Sequence, residues 1–268
     1  MKLMENKKGI IMGVANERSI AWGIAKELSN HGADLIFTYQ NENLKKRITP
    51  LAESVNCKEL YQCDVSEDPE HLNSIENFVS CLKSNSYKID FIVHAVAFSD
   101  KEELKGKYIE TSRKNFLQTL DISTFSFTRV AKSCLPIMNP KGGSLLTLTY
   151  LGAKRTTPNY NVMGIAKAAL ETSVKYMSMD LGPKNIRVNA ISAGPMKTLA
   201  GAAISGARHV FRYSENVSPL KNNPDLKQVG NAALYLLSDL SSGVSGVIHN
   251  VDGGLHSTGV PAQKDIDF

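Results

Sequence analysis

The sequence predicts an α/β fold in which one seven-stranded parallel sheet is covered by helices on both faces. Two observations predict it. Short apolar runs alternate along the chain with longer segments of helical period, which is the pattern of repeated βαβ units. The length of 268 residues and the apolar fraction of 42% are also sufficient for one core of this kind. We therefore expect one domain over residues 1–268.

The predicted strands are short runs rich in β-branched and aromatic residues. They are Gly9–Gly13, Asp34–Tyr39, Glu59–Cys63, Asp90–Ala95, Ser144–Thr149, Arg187–Ile191 and Val247–Val251. The predicted helices are the amphipathic segments between them, and they are Ile20–Asn30, Pro69–Lys83, Arg113–Leu135, Asn159–Asp180 (with Pro158 as a first-turn proline) and Lys227–Ser238. Strands joined in this way predict a doubly wound sheet of the Rossmann type.

The stretch over residues 195–217 does not follow this alternation. Its Thr198–Ser205 portion is rich in alanine and glycine and leads into the basic residues Arg208 and Arg212. Irregular connections beside a ligand site often close over the ligand. We expect this stretch to act as a mobile substrate-binding lid.

Composition and charge exclude several classes of function. No apolar run reaches the ~18 residues that a membrane helix needs, and the start of the chain lacks the apolar segment of an export signal, so we expect a cytoplasmic protein without membrane insertion. The net charge of +5 is spread without a dense basic run, which disfavours nucleic-acid binding. The four cysteines include no Cys-x-x-Cys pair, so we expect neither disulfides nor a metal site.

The loop after the first strand is a candidate phosphate site. Gly13 permits a tight turn, and Ser19 precedes a helix whose free N–H groups and positive dipole end attract an anion. The G-x-G-x-x-G fingerprint is absent, because Ala15 and Ser19 stand where glycines are usual. Taken alone, the loop is equally compatible with a glycine turn that opens a structural helix.

The ends of the second and third strands carry residues suited to the adenosine half of a dinucleotide. Gln40 is neutral and can hydrogen-bond free ribose hydroxyls, whereas a 2′-phosphate would require a cation there, so NADH is favoured over NADPH. Asp64, followed by Val65, suits either the adenine amino group or the cap of the next helix. The nearest cations, in Lys45–Arg47, are typical of one turn of a solvated helix.

The segment after the fifth strand carries the candidate reactive side chains. Tyr160 and Lys167 are seven residues apart, so they share one helix face at ~10.5 Å along the axis. Because helical side chains lean toward the N-terminus, the long lysine stem can bring its ammonium beside the Tyr160 hydroxyl. An arbitrary pair at this spacing is usually a buried aromatic and a surface cation, but the position after a fifth strand favours a site.

Six motifs along the chain, taken together, indicate a resemblance to a known family. They are Gly13-Val-Ala with Ser19-Ile-Ala and Gly23-Ile-Ala, Phe37-Thr-Tyr-Gln, Gln62-Cys-Asp-Val, Tyr150–Lys167, Arg187–Pro195 and Val251-Asp-Gly-Gly. In these motifs the chain resembles the enoyl-acyl carrier protein reductases of bacterial fatty-acid synthesis, a divergent branch of the short-chain dehydrogenase/reductase superfamily. Classical members of that superfamily carry the lysine four residues after the tyrosine, where this chain has Gly164. The longer spacing and the second tyrosine, Tyr150, distinguish enoyl from carbonyl reductases.

The resemblance implies that a homotetramer uses NADH to reduce the trans-2 double bond of enoyl thioesters on acyl carrier protein, the last step of fatty-acid elongation. It implies Tyr150, Tyr160 and Lys167 as catalytic residues and Ser99 near the acyl substrate. The implied cofactor contacts are Gly13, Ser19, Ile20, Gln40, Asp64, Val65, Val96, Lys167, Met196, Lys197, Thr198, Leu199 and Ala200. We expect the main departure from the family at Ala97, which stands where the family usually has glycine.

Two other functions fit parts of the sequence. A 3-ketoacyl or other carbonyl reductase of the same superfamily would share the sheet and the tyrosine, but it would carry lysine at the position of Gly164. A non-catalytic NAD sensor would keep the cofactor loops and would have no reason to keep Tyr160 and Lys167 together.

Overall fold

The computed structural model describes residues 2–66, 73–198, 201, 206–262 and 265. Its strands are β1 (Lys8–Met12), β2 (Asp34–Tyr39), β3 (Glu59–Gln62), β4 (Phe91–His94), β5 (Gly143–Thr149), β6 (Ile186–Ala193) and β7 (Ile248–Val251). They form one sheet in the order β3-β2-β1-β4-β5-β6-β7, in which all neighbours are parallel. The predicted fold class is confirmed.

Eight α-helices are named in the described part of the chain. They are α1 (Ile20–Asn30), α2 (Glu42–Ser54), α3 (Ser74–Ser84), α4 (Arg113–Leu120), α5 (Ser126–Cys134), α6 (Asn161–Leu181), α7 (Ala207–Val217) and α8 (Leu226–Leu237). Residues of α1, α2 and α8 share one buried cluster, and residues of α3, α5 and α6 share the cluster on the opposite face. The sheet is therefore covered on both sides.

The central strands divide their side chains between these two clusters by alternation. Ile10 and Ile92 pack with α3, α5 and α6, whereas Ile11 and Val93 pack with α1, α2 and α8, and all four are fully buried. Strands buried on both faces consist of nearly continuous apolar residues, as observed here. Polar side chains that could carry out chemistry are therefore expected in the loops at the strand ends.

Two helix predictions were wrong in detail. The segment predicted as one helix, Arg113–Leu135, is interrupted by a π-helical turn over Asp121–Phe125. Such a turn inserts an extra residue into an α-helix and is not visible in the apolar period. Helix α6 begins at Asn161 rather than Asn159, because Asn159 has a left-handed backbone (φ 59°) and Tyr160 is the N-cap. Pro158 consequently lies in the turn before the helix.

Two helices were missed or underestimated. Lys45–Arg47 were predicted to be one turn of a solvated helix of unstated length, and that helix, α2, runs for 13 residues and contains Pro50. Helix α7 lies in the stretch expected to be an irregular lid. Of the predicted helix Pro69–Lys83, the part before Asn73 lies outside the described residues.

Within the described ranges, no helix has both the length and the apolarity to cross a membrane, and no cluster of side chains suits a metal ion.

Candidate active site

The carboxyl ends of the strands open on a cavity of about 890 Å³, located between β1 and β4, where the order of the strands in the sheet reverses. Ligands bind at this point in open α/β sheets. The predicted site residues that line the cavity are Gly13, Ser19, Ile20, Val96, Ser99, Tyr150, Tyr160, Lys167, Met196 and Thr198. Gln40, Asp64, Val65 and Lys197 are not part of its lining, and Leu199 and Ala200 lie outside the described residues.

The loop after β1 brings the start of α1 to the cavity. Gly13 has φ +98°, and a Cβ there would lie 2.2 Å from the carbonyl oxygen of Ala95, so only glycine lets β1 and β4 approach this closely. The Ser19 hydroxyl accepts hydrogen bonds from the N–H groups of Ala15 and Asn16, both at 3.0 Å. Ser19 thus orders the loop and does not cap its own helix. At the start of α1 the N–H of Trp22 donates to the carbonyl oxygen of Ser19 at 3.0 Å, and the N–H groups of Ile20 and Ala21 before it suit a pyrophosphate.

The adenosine end predicted at Gln40 and Asp64 forms one polar unit. The Gln40 side-chain amide donates to Asp64 Oδ2 at 2.9 Å, and Asp64 Oδ1 accepts from the N–H of Ser66 at 2.9 Å. Asp64 therefore orders its own turn and also holds Gln40 at the edge of the sheet. Lys45 on α2 is engaged elsewhere, because its ammonium pairs with Glu42 at 3.3 Å and lies 5.3 Å from the centroid of the Tyr39 ring.

The two tyrosines predicted as catalytic pack directly on each other. The rings of Tyr150 and Tyr160 meet edge to face, with centroids 5.2 Å apart. Tyr160 is buried, and this burial, together with the nearby Tyr150, raises the pKa of its hydroxyl well above the ordinary value. The phenol is therefore neutral over the physiological range and available as a hydrogen-bond donor. Burial also raises the pKa of Tyr150.

Lys167 reaches the same cavity from the second turn of α6. Its side chain is buried, and its ammonium donates to the carbonyl oxygen of Leu148 at 2.8 Å. Burial lowers its pKa to about 8, although the carboxylate of Glu171 acts in the opposite direction. Near neutral pH the site therefore holds a cation that is close to losing its proton.

Gly152 and Gly164 were not recognised as residues that make room for the tyrosines. A Cβ on Gly152 would lie 2.5 Å from Tyr160 Cδ1 and 3.2 Å from Tyr150 Cδ1. A Cβ on Gly164 would lie 2.9 Å from the carbonyl oxygen of Gly152. A side chain at position 164, where a carbonyl reductase would carry its lysine, would therefore clash with the backbone after β5.

Two buried polar residues beside Lys167 were also missed. Glu171 accepts from the Thr149 hydroxyl at 3.0 Å and lies 3.9 Å from the ammonium of Lys154. His94, at the end of β4, contacts Ser126 through Nε2 at 2.8 Å, and burial followed by the charge of Lys167 lowers its pKa to about 3. The spacing of four residues between Lys167 and Glu171 was the one available sequence signal.

The loop after β4, which contains Ala97, is held by the missed π-helical turn. Ser123 in that turn accepts from the N–H of Phe98 and donates to the carbonyl oxygen of Phe98, both at 2.9 Å. Ser99 lines the cavity, and its hydroxyl contacts Asn115 at 3.3 Å and Thr119 at 3.0 Å. Ala97, at which the sequence predicted the main departure from the family, also lines the cavity.

The segment after β6 forms another wall. Met196, Thr198 and Phe211 line the cavity, the last from helix α7. Lys197 is not part of the lining, and its ammonium lies 4.8 Å from the centroid of the Phe211 ring. Residues 199–200 and 202–205, which make up most of the alanine-rich run, lie outside the described residues.

The strand order reverses beside the cavity, and the exposed start of a helix lies at the same place. These features define a Rossmann-fold protein of the dinucleotide-binding class. Within that class, the chain belongs to the enoyl-(acyl carrier protein) reductase family, whose family model matches residues 13–256.

Individual relatives agree with this assignment. The chain is 54% identical over 260 residues to enoyl-[acyl-carrier-protein] reductase [NADH] 1 of Rhizobium meliloti, covering 97% of this chain and 94% of that protein. It is 48% identical to enoyl-[acyl-carrier-protein] reductase [NADPH] FabI of Staphylococcus aureus, over 95% of this chain and 98% of that protein. The solved enoyl-(acyl-carrier-protein) reductase of Anaplasma phagocytophilum in complex with NAD has a TM-score of 0.92 and 50% identity, covering 99% of this chain and 98% of that one.

Proposed function

We propose that this protein is an enoyl-acyl carrier protein reductase that uses NADH to saturate the trans-2 double bond of enoyl thioesters. The observation that carries the proposal is the placement of Tyr160 and Lys167 on one cavity while Gly164 is closed to a side chain. The relatives that share the whole length of the chain are named for the same activity. In bacterial fatty-acid synthesis this reaction completes each elongation cycle.

The residues of the cavity suit this reaction step by step. When bound, NADH would supply the hydride that the β-carbon accepts. Negative charge would develop on the thioester carbonyl oxygen as the hydride adds, and the α-carbon would then take a proton from water. The neutral hydroxyl of Tyr160 donates a hydrogen bond to that oxygen. The ammonium of Lys167 would hold the nicotinamide ribose hydroxyls and add positive potential at the carbonyl oxygen. A preorganised electrostatic contribution of this kind typically lowers a barrier by about 3 kcal/mol. Tyr150 shapes the acyl pocket beside Tyr160.

The structure fits a dinucleotide at both of its ends. Gly13, Ser19 and Ile20 would hold the pyrophosphate, and Val96, Met196 and Thr198, which line the same cavity, would contact the cofactor. Gln40 and Asp64 would bind the adenosine. The neutral Gln40 and the engagement of Lys45 with Glu42 and Tyr39 favour NADH. Since one relative is named for NADPH, both cofactors belong in the assay.

Several features of the proposal come from the family resemblance. The homotetramer is such a feature, whereas the cytoplasmic location, the single domain over residues 1–268 and the lid over residues 195–217 are proposed from the sequence itself. Acyl carrier protein is the expected donor of the substrate, and the net charge of +5 is favourable for an acidic partner.

The function is tested by mixing the protein with NADH and either a crotonyl or an acetoacetyl thioester and following NADH absorbance. Loss with the crotonyl thioester alone supports the proposal. Loss with the acetoacetyl thioester alone would indicate a carbonyl reductase, and loss with neither would indicate a sensor. The same assay with NADPH measures the cofactor preference.

A further inference from the structure

Tyr160 is flanked by two asparagines with left-handed backbones. Asn159 has φ 59° and Asn161 has φ 38°. Positive φ is uncommon outside glycine, and asparagine is among the few residues that tolerate it. Strained conformations of this kind persist only where the surrounding contacts enforce them, and they cluster at functional sites. The contacts of Asn161 show what enforces its conformation.

The side-chain amide of Asn161 contacts three backbone carbonyl oxygens of one neighbouring segment. Its Nδ2 donates to Leu104 at 3.1 Å and to Glu103 and Gly106, both at 3.4 Å. Two amide hydrogens thus serve three acceptors. This contact joins the first residue of α6 to a segment more than 50 positions earlier in the chain.

That segment is part of the cavity wall. Leu104 lines the cavity, is buried, and packs in one apolar cluster with Tyr160 and Met163. On its other side the segment is anchored to the start of α4, because the Glu103 carboxylate accepts from the N–H and the hydroxyl of Ser112, both at 2.8 Å. The Asn161 amide is therefore the polar link that fixes this wall against Tyr160.

We propose that Asn161 is a positioning residue, which sets the direction of the Tyr160 hydroxyl and the place of the Leu104 wall on the acyl side of the site. This inference rests on the proposed function. The cofactor loop at Gly13 and Ser19 joins β1 to α1, and among the described residues the acceptors of the Asn161 amide are Glu103, Leu104 and Gly106 and not this loop. Loss of the amide should therefore impair turnover of the enoyl substrate and leave NADH binding unchanged.

Two variants separate the amide from the backbone. Asn161→Gly removes the amide and relieves the positive φ, whereas Asn161→Asp keeps a residue that tolerates this φ and places a carboxylate before three carbonyl oxygens. Asn185 provides the matched control, since it has φ 57° and its amide donates to the carbonyl oxygen of Lys141 at the opposite end of the sheet. The corresponding controls are Asn185→Gly and Asn185→Asp.

Initial rates with a crotonyl thioester and NADH form the first test, run well below the melting temperature of each variant. We expect both Asn161 variants to lose about 10- to 100-fold in kcat/KM for the thioester, in line with a displacement of ~1 Å at a reacting group. The dissociation constant for NADH should stay within about twofold, as should every parameter of the Asn185 variants. Wild-type kcat/KM for the thioester in either Asn161 variant, or an equal loss in NADH affinity, would overturn the inference.

A second readout does not depend on turnover. In NMR spectra of protein labelled at the tyrosine rings, the Tyr160 signal is assigned by its absence from Tyr160→Phe. We expect Asn161→Asp to shift that signal and Asn185→Asp to leave it in place; an unmoved Tyr160 signal would contradict the positioning role. If the wild type reduces no enoyl thioester, the proposed function fails, and the NMR comparison still decides whether Asn161 positions Tyr160.

Discussion

The carbonyl oxygen of Gly152 lies 2.9 Å from the point that a Cβ on Gly164 would occupy. Helix α6 therefore packs backbone to backbone on the turn after β5, and no side chain fits at the position where carbonyl reductases carry lysine. The cation comes instead from Lys167, three residues further along the helix, and its ammonium turns back to the carbonyl oxygen of Leu148. This packing explains why the lysine of this chain follows Tyr160 by seven residues and not by four.

A methyl group at Gly152 should displace the Tyr160 ring, because its Cβ would lie 2.5 Å from Tyr160 Cδ1. We expect Gly152→Ala to lower kcat/KM for a crotonyl thioester by about 10-fold or more, since ~1 Å errors at a reacting group are costly. Gly182→Ala at the end of α6 is the control, because nothing lies within 4 Å of the added methyl group. Steady-state rates measure both, and unchanged kinetics in Gly152→Ala would show that the ring position is not critical.

The two tyrosine hydroxyls should differ in importance. Tyr160→Phe keeps the edge-to-face packing with Tyr150 and removes the proposed donor to the carbonyl oxygen, so we expect kcat to fall by about 10²- to 10³-fold. Tyr150→Phe removes a hydroxyl that lines the acyl pocket, and we expect it to lower kcat by less than about 10-fold. Turnover of the crotonyl thioester measures both values. Similar rates for the two variants would refute the separate roles.

The activity should depend on the protonation of Lys167. Because burial lowers its pKa from 10.5 to about 8, the free protein loses this positive charge as pH rises through about 8. We expect kcat/KM for NADH, which reports on the free enzyme, to fall over that range. The residual activity of Lys167→Met should lack this step. An alkaline limb retained in Lys167→Met would assign the titration to another group.

Lys167 should also reduce folding stability near neutral pH. Its lowered pKa means that the unfolded chain binds more protons between pH 8 and 10.5, so the free energy of unfolding rises with pH in that window. At pH 7 the cost is about 3 kcal/mol, whereas the lost hydrogen bond from the charged ammonium to Leu148 is worth about 2 kcal/mol. We therefore expect Lys167→Met to be more stable than the wild type in urea unfolding at pH 7. A less stable variant would contradict this balance.

The sequence was sufficient to predict the sheet and the location of the candidate site. Strands buried on both faces show as apolar runs, so each observed strand lies within two residues of its predicted bounds, and α1 was predicted over its full range. Tyr160 and Lys167 were predicted to share one site from the geometry of a single helix, and both line the cavity. Tyr160 is, however, the N-cap of α6 and not a residue of the helix, so the turn before α6 also sets its place. Their catalytic roles remain predictions.

Features set by contacts between distant segments could not be predicted in this way. The π-helical turn at Asp121–Phe125 leaves the apolar period almost unchanged, but it places Ser123 against Phe98. The left-handed Asn161 gives no local signal, because its amide contacts carbonyl groups more than 50 positions away. Helix α7 was hidden by the alanine-rich run that precedes it.

Transfer of deuterium tests the central proposal most directly. The wild-type protein is incubated with a crotonyl thioester and NADH deuterated at the transferable position, and the product is analysed by mass spectrometry and NMR. We predict a butyryl thioester with one deuterium on the β-carbon, formed much more slowly by Tyr160→Phe. Unreacted crotonyl thioester, together with a deuterated 3-hydroxybutyryl thioester when acetoacetyl thioester is supplied, would contradict carbon–carbon reduction at this site.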